Sequence, residues 1–372
     1  MGALGADLRA DRGRSGNLRA HTQAEPRLAR RRRPPGWIAS VTTPPQRWAL
    51  IGTGTISRSI AADLARCAGA EAVVVHSRDP EKAARFATEF GIAKATADYA
   101  AILADDSIDA IYLATPFATH HRMSREALLA GKHVLVEKPM AMSTAEVADL
   151  FGLAAAQGVF LMEAMWMKFT PGFLRLREEV ARGRIGEVRS VRASFGAPFP
   201  EGGSRWDLAA SGGALLDQGI YPVTLAHALL GSPESISARG TTRADGLDLS
   251  EHFTFEYPGG AFAQGGSSMV EFLDLAASVN GTIGWIDIPP YFWGVRRLEI
   301  HAGATQESFE RPEVVEFDEP GDGYVPMLSE VIRAIDAGML QHPEHDANAT
   351  VDVFTLLDEI MFQVRQSAGA QP

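Results

Sequence analysis

Residues 48–51 form a short apolar run, and residues 56–67 carry an amphipathic helical pattern. Between them lies Gly52-Thr53-Gly54-Thr55-Ile56-Ser57. A strand, a glycine turn and a helix in that order leave few folds open. The first glycine permits the tight turn, and the second lets a ligand approach the backbone. The helix start then offers free amides and the positive end of its dipole. Ser57 stands where such loops usually carry a third glycine, a packing position that a small residue can fill. Gly52, Thr53, Gly54, Thr55 and Ile56 are therefore expected to cradle the phosphates of a dinucleotide.

The pattern downstream supports a doubly wound sheet. Strands are expected at 48–51, 71–75, 109–114 and 133–137, and helices at 56–67, 80–91, 119–130 and 144–157. Asp79 reads as the cap of the second helix, with Pro80 at its first position. Strands alternating with helices imply right-handed crossovers and a parallel sheet. After about residue 165 a helix is expected at 172–182. Period-two strands follow at 188–195, 236–242, 252–257, 261–268 and 298–301, then helices at 324–338 and 350–365. The expected fold class is α/β: an N-terminal Rossmann domain over residues 46–165, then a C-terminal α+β domain over 166–372 with a large, mostly antiparallel sheet.

Charge and composition narrow the partners. The net charge of −11 hides an asymmetry, because residues 1–47 hold ten Arg against three acidic residues. The remaining chain is strongly acidic, which argues against nucleic acid as the main partner. Residues 1–45 read as a disordered basic leader or an over-called start. No apolar run reaches the ~18 residues of a membrane span. A single cysteine, Cys67, excludes an internal disulfide and fits a cytoplasmic setting.

The residues after the second strand choose the cofactor. His76-Ser77-Arg78 places a hydroxyl beside a guanidinium, which suits a 2′-phosphate and favours NADP over NAD. The alternative is that Arg78 stacks on adenine or faces solvent. A second charged feature, Glu137-Lys138-Pro139, ends the strand at 133–137, where open parallel sheets bind ligands. A buried Lys there requires compensation from a ligand or from Glu137.

Together with Ala114-Thr115-Pro116 and the run from Gly212 to Tyr221, GGALLDQGIY, these motifs give a recognisable set. The chain resembles the glucose–fructose oxidoreductase, inositol dehydrogenase and rhizopine-catabolism (Gfo/Idh/MocA) family over about residues 47–365. Glu163-Ala164-Met165-Trp166 and Tyr221 point to the branch with dimeric dihydrodiol dehydrogenases and D-xylose dehydrogenases. The resemblance implies that Lys138 lies near the nicotinamide, that Tyr221 is the acid/base, and that Asp217 positions substrate. It also implies a cis Lys138-Pro139 bond and a homodimer formed through the C-terminal sheet.

A tyrosine of ordinary pKa about 10 needs a neighbouring ammonium to lower it, and Lys138 is the expected source. Asp217 and Tyr221, four apart, share a face if the segment is helical, although Gly219 and Pro222 weaken that expectation. Thr115, Pro116, His120 and Glu137 are expected to border the cofactor. Trp166 either stacks on a ligand or packs a hinge. His120, His121, His342 and His345 are read as solvated, and no metal is expected. The expected function is hydride transfer between NAD(P) and a hydroxyl-bearing carbon of a sugar, polyol or dihydrodiol. The alternative is a non-catalytic NAD(P)-sensing regulator, a class expected to lose the Lys or the acid/base.

Overall fold

The computed structural model describes residues 44–303 and 305–368. The leader expected over residues 1–45 lies almost wholly outside them. The first sheet consists of β1 (Gln46–Ile51), β2 (Ala70–His76), β3 (Lys94–Thr96), β4 (Ala110–Leu113), β5 (His133–Val136) and β6 (Leu161–Glu163). Its order is β3-β2-β1-β4-β5-β6, and every pairing is parallel. All four residues of β4 are buried, as a strand covered on both faces requires. The crossovers carry α1 (Thr55–Leu64), α2 (Pro80–Phe90), α3 (Tyr99–Leu103), α4 (His120–Leu129) and α5 (Thr144–Gln157). Asp79 caps α2 as expected, accepting from the amides of Glu81 and Lys82 at 3.0 and 3.1 Å. The order reverses between β1 and β4, which opens a crevice at their C-terminal ends.

The chain continues through α6 (Pro171–Ala181), β7 (Val188–Gly196) and α7 (Leu208–Ser211). A π-helical turn, Leu215–Gly219, leads directly into α8 (Ile220–Leu230). Seven more strands complete the second sheet with β7: β8 (Ser235–Thr242), β9 (Asp248–Glu256), β10 (Phe262–Ser268), β11 (Ala277–Gly281), β12 (Gly284–Ile288), β13 (Arg297–Ala302) and β14 (Glu313–Glu316). Its order is β14-β13-β12-β11-β7-β10-β9-β8. Only β7 and β10 pair in parallel; the other pairings are antiparallel. Helix α9 (Gln306–Glu310) bridges β13 and β14, and α10 (Val325–Asp336) and α11 (Ala347–Ala368) close the chain. Among the described residues no helix is long and apolar enough to cross a membrane.

Of the last two helices, α10 completes the core of the first sheet and α11 joins the two halves. Met327, Leu328, Val331 and Ile332 of α10 are buried in one cluster with Trp48, Leu50, Ile60 and Leu64 of the first sheet and α1. The approach to α10 is pinned by Asp63 of α1, fully buried, whose carboxylate accepts from the amides of Asp322 and Tyr324 at 2.9–3.0 Å. Helix α11 packs on both α5 and β8.

The histidine reading needs correction. His120 and His345 are buried, not solvated, and the side chains of His121 and His342 are only partly exposed. The reason is polar satisfaction from distant segments. The ring nitrogens of His120 bond the carbonyls of Pro139 and Thr115, both at 2.8 Å. His345 lies between Glu163 Oε2 at 2.9 Å and Lys168 Nζ at 3.5 Å. Among the described residues no cluster of three or more His, Cys, Asp or Glu is arranged to hold a metal.

Candidate active site

A cleft of about 1030 Å³ opens along the C-terminal edge of the first sheet. Its walls include Gly52, Thr53, Gly54, Ser77, Arg78, Thr115 and Pro116 from that sheet, and Arg205 and Asp217 from the chain's second half. The turn after β1 needs its glycine: Gly52 has φ +116°, and a Cβ there would overlap the Ala114 carbonyl. Gly54 precedes α1 without any side chain to cap it, so the first amides of the helix are left for a ligand. Thr55 and Ile56 stand exposed in that first turn. Ser57 is buried, its hydroxyl without a hydrogen-bond partner among the described residues.

At the far end of the cleft wall, Arg78 is exposed and makes no ion pair with a described residue. Asp79 beside it is occupied as a helix cap, and its amide donates to Ser77 Oγ at 3.2 Å. Tyr99, Arg122 and Met123 line the same end. His120 does not reach the cleft. Its two hydrogen bonds tie the loop after β4 to the Lys138-Pro139-Met140 segment.

The Lys138-Pro139 peptide bond is cis. Lys138 Nζ donates to Asp217 twice, at 2.6 Å to the main-chain oxygen and 3.1 Å to Oδ1. The other carboxylate oxygen of Asp217 accepts from Arg205 Nε at 2.5 Å. Burial raises the Asp217 carboxyl, but the charges of Lys138 and Arg205 outweigh it and hold it low. Burial likewise pulls the Lys138 ammonium down, while Tyr221, Asp217 and Glu137 reverse this and leave it above its usual range. The sequence pointed to a ligand or Glu137 as the compensation for the buried Lys; the structure adds Asp217, which takes its hydrogen bonds, while Glu137 contributes charge. Glu137 instead accepts from the Tyr112 hydroxyl at 2.5 Å. Burial pushes the Glu137 carboxyl up to about 7, against the pull of Tyr112 and Lys138.

Tyr221 lies beside this pair in the first turn of α8. Its ring centroid is 4.9 Å from Lys138 Nζ, and its hydroxyl accepts from Trp166 Nε1 at 3.0 Å. Trp166 therefore contacts the phenol, with its ring tilted against Tyr324 at 5.3 Å. Lys138 does pull the Tyr221 phenol down as expected, but the expected net lowering is corrected. Burial is the larger effect and raises the phenol, with Lys138 and the Trp166 bond opposing it. The ammonium stands over the ring face and spends its hydrogen bonds on Asp217, so its pull on the hydroxyl is partial.

Three features were not anticipated. Arg205 comes from a Gly- and Ser-rich loop with no periodicity, and its guanidinium lies 3.9 Å from the Phe199 ring. Phe195 and Trp293 stack at 3.8 Å, each about 6 Å from the Tyr221 ring. Tyr112 is the buried partner of Glu137. Nothing local in the sequence marks these residues, because each is brought in by tertiary pairing.

The chain matches known proteins along most of its length. Residues 46–165 match the model described as an oxidoreductase family with an NAD-binding Rossmann fold, and residues 173–287 match the GFO/IDH/MocA C-terminal domain. It is 37% identical over 259 residues to the trans-1,2-dihydrobenzene-1,2-diol dehydrogenase of Mus musculus, spanning 68% of this chain and 78% of that one. The Homo sapiens enzyme of the same name is 32% identical over 87% of this chain and 97% of its own. Among solved structures, a 3-ketoreductase from Actinomadura kijaniata in complex with NADP and TDP-benzene superposes with a TM-score of 0.76 at 26% identity. That match covers 87% of this chain and 98% of the other. An aldose-aldose oxidoreductase from Caulobacter crescentus shares the fold, with a TM-score of 0.77 at 22% identity.

Proposed function

The chain belongs to the GFO/IDH/MocA oxidoreductase family, and from that premise we propose that Tyr221, Lys138 and Asp217 carry out NAD(P)-dependent oxidoreduction of a sugar, polyol or dihydrodiol. The observation that carries the assignment is the buried contact of the Lys138 ammonium with both Asp217 and the Tyr221 ring. The residues of the cleft fit the cofactor. A bare backbone at Gly52, an uncapped first turn of α1 and the unpartnered Ser57 hydroxyl suit a pyrophosphate.

When bound, the nicotinamide cofactor supplies hydride acceptance or donation. Tyr221 Oη takes the hydroxyl proton from the carbon being oxidised and returns it in the reverse direction. The Trp166 N–H and the Lys138 charge stabilise the phenolate form of Tyr221 that accepts this proton and is regenerated in the reverse direction. Asp217 holds the ammonium, and Arg205 holds Asp217. Thr115 and Pro116 line the wall beside this group, while His120 and Glu137 set the loops that bear it. The stacked Phe195 and Trp293 offer a flat apolar face to a ring-shaped substrate.

Arg78, exposed and without an ion-pair partner among the described residues, supports NADP as the preferred cofactor over NAD. The reading extends to a cytoplasmic homodimer formed through the second sheet, a setting that suits the buried Cys67, which forms no disulfide. Turnover of sugars, polyols and trans-dihydrodiols with each cofactor, followed by the ultraviolet absorbance of reduced nicotinamide, tests the assignment. Cofactor binding without turnover of any of them would assign the chain to the sensing class instead. Size-exclusion chromatography with light scattering tests the dimer, and a monomeric mass at working concentration refutes it.

A further inference from the structure

Lys138 is held by the main-chain oxygen of Asp217 as well as by its side chain, at 2.6 and 3.1 Å. The ammonium is therefore placed by the backbone of the π-helical turn Leu215–Gly219, and whatever fixes that turn fixes Lys138. Helices with an inserted residue of this kind recur at functional sites and need external support.

That support comes from the second sheet. Asp248, the first residue of β9, is 1% exposed, and its Oδ2 accepts from the amide of Leu215 at 2.7 Å. Its negative charge lies at the start of the helical run from Leu215 to Leu230, where it opposes the helix dipole favourably. Gly213 has φ +87°, and a Cβ there would overlap the Asp248 carboxylate, so the close approach needs a bare backbone. The other end of the turn rests on the same sheet. Glu251 of β9 is fully buried and accepts from the Ser267 hydroxyl of β10, and a Cβ on Gly219 would come within 2.5 Å of Ser267 Oγ.

Resting on the catalytic reading above, we infer that Asp248 is a positioning residue: its carboxylate caps the turn and so sets both oxygens of Asp217 that hold Lys138. Burial pushes the Asp248 carboxyl up to about 6, against the pull of the Leu215 amide and of Arg365 on α11. The other ionisable neighbour is Glu251, which burial and the Asp248 charge push far above its ordinary value. As pH falls through about 6 the cap loses its charge and turnover falls. Because the folded pKa lies above the unfolded one, the same protonation stabilises the fold, so this loss is not unfolding.

The test uses the full chain with the best substrate of the panel. In Asp248→Asn, kcat is expected to drop about tenfold, as a small misplacement of catalytic groups does. KM and the affinity for NADPH, read by its fluorescence, should stay within about twofold, and the acid limb of kcat should flatten. Arg365→Gln, an exposed change remote from the cleft, should shift that limb to higher pH while leaving the plateau of kcat alone. It decides the matter even where Asp248→Asn fails to fold, and neither variant moves a limb due to Glu137. Wild-type kcat with an unchanged acid limb in Asp248→Asn overturns the inference. So does a limb that Arg365→Gln leaves in place, or a loss of kcat matched by equal losses of NADPH affinity and thermal stability. Tyr221→Phe, measured alongside, separates the two readings. Full turnover in that variant removes the site and this inference with it, whereas its loss beside an unaffected Asp248→Asn removes only the role of Asp248.

Discussion

The two walls of the cleft are encoded differently. The wall from the first sheet is built of contiguous stretches: Gly52 to Gly54, Ser77 with Arg78, and Thr115 with Pro116, each at the end of one strand. The opposite wall collects Arg205 and Asp217, and Tyr221 near them meets the stacked Phe195 and Trp293, from segments up to about a hundred residues apart. The first wall is a local device for a fixed cofactor. The second is assembled by packing, which leaves it free to change with the substrate. Lys138 follows a strand of the first sheet and Tyr221 lies in α8, so the proposed chemistry requires both to be in register.

The sharpest test of that register is the Lys138 and Tyr221 pair. Tyr221→Phe keeps the ring and its packing but removes the proton-exchanging group, and turnover should fall by about 10²–10⁴. Lys138→Ala should cost a similar factor. If the walls act as one unit, the double variant is hardly worse than the worse single one. Fully additive losses in kcat would show two independent walls.

The next test stays on the first wall. Gly52→Ala forces a side chain into φ +116° and against the Ala114 carbonyl. Strain of this kind costs about 1–3 kcal/mol, and cofactor affinity should weaken about tenfold or more for NADP and NAD alike. Isothermal titration with each cofactor checks this, and unchanged affinity would remove the loop from the binding site. Arg78→Ala should weaken NADP by about tenfold to a hundredfold, the worth of a charge-assisted contact, and leave NAD almost unaffected. Equal losses for both cofactors would mean that Arg78 meets adenine, not phosphate.

The smallest effect is expected across the cleft. Arg205→Lys keeps a charge near Asp217 but loses the planar face held against Phe199. Substrate KM should rise a few-fold, on the order of 1 kcal/mol, with cofactor affinity unchanged. A fall in cofactor affinity instead would place Arg205 with the first wall.

The same contrast explains what the sequence could show. The parallel sheet, the glycine loop, the Asp79 cap and the Lys138 strand end follow from short-range pattern, and the structure contains all of them. Strands β3 and β6, of three residues each, are too short to show a period. Strand β11 reads ASVNG, whose polar and glycine content hides it; only its pairing with β7 and β12 defines it. Helix α8 forms although Pro222 argued against it; the proline follows directly on the π-helical turn, where the regular i−4 bonding is already interrupted. Asp217 and Tyr221 do not share an ordinary helical face, since the π-helical turn intervenes. The partners of the buried histidines lie up to 182 residues away, beyond any window of local pattern.

The position of α10 has a consequence for how the protein is made. The core of the first sheet is completed by Met327, Leu328, Val331 and Ile332, residues more than 160 positions after the last strand they help to cover. During synthesis that apolar surface stays uncovered until α10 has left the ribosome, about 10–30 s after the last strand at ordinary elongation rates. The nucleotide-binding half therefore cannot mature ahead of the rest. Its final closure waits on a helix translated long after the sheet, and Asp63 is the group already in place to receive the segment that delivers it.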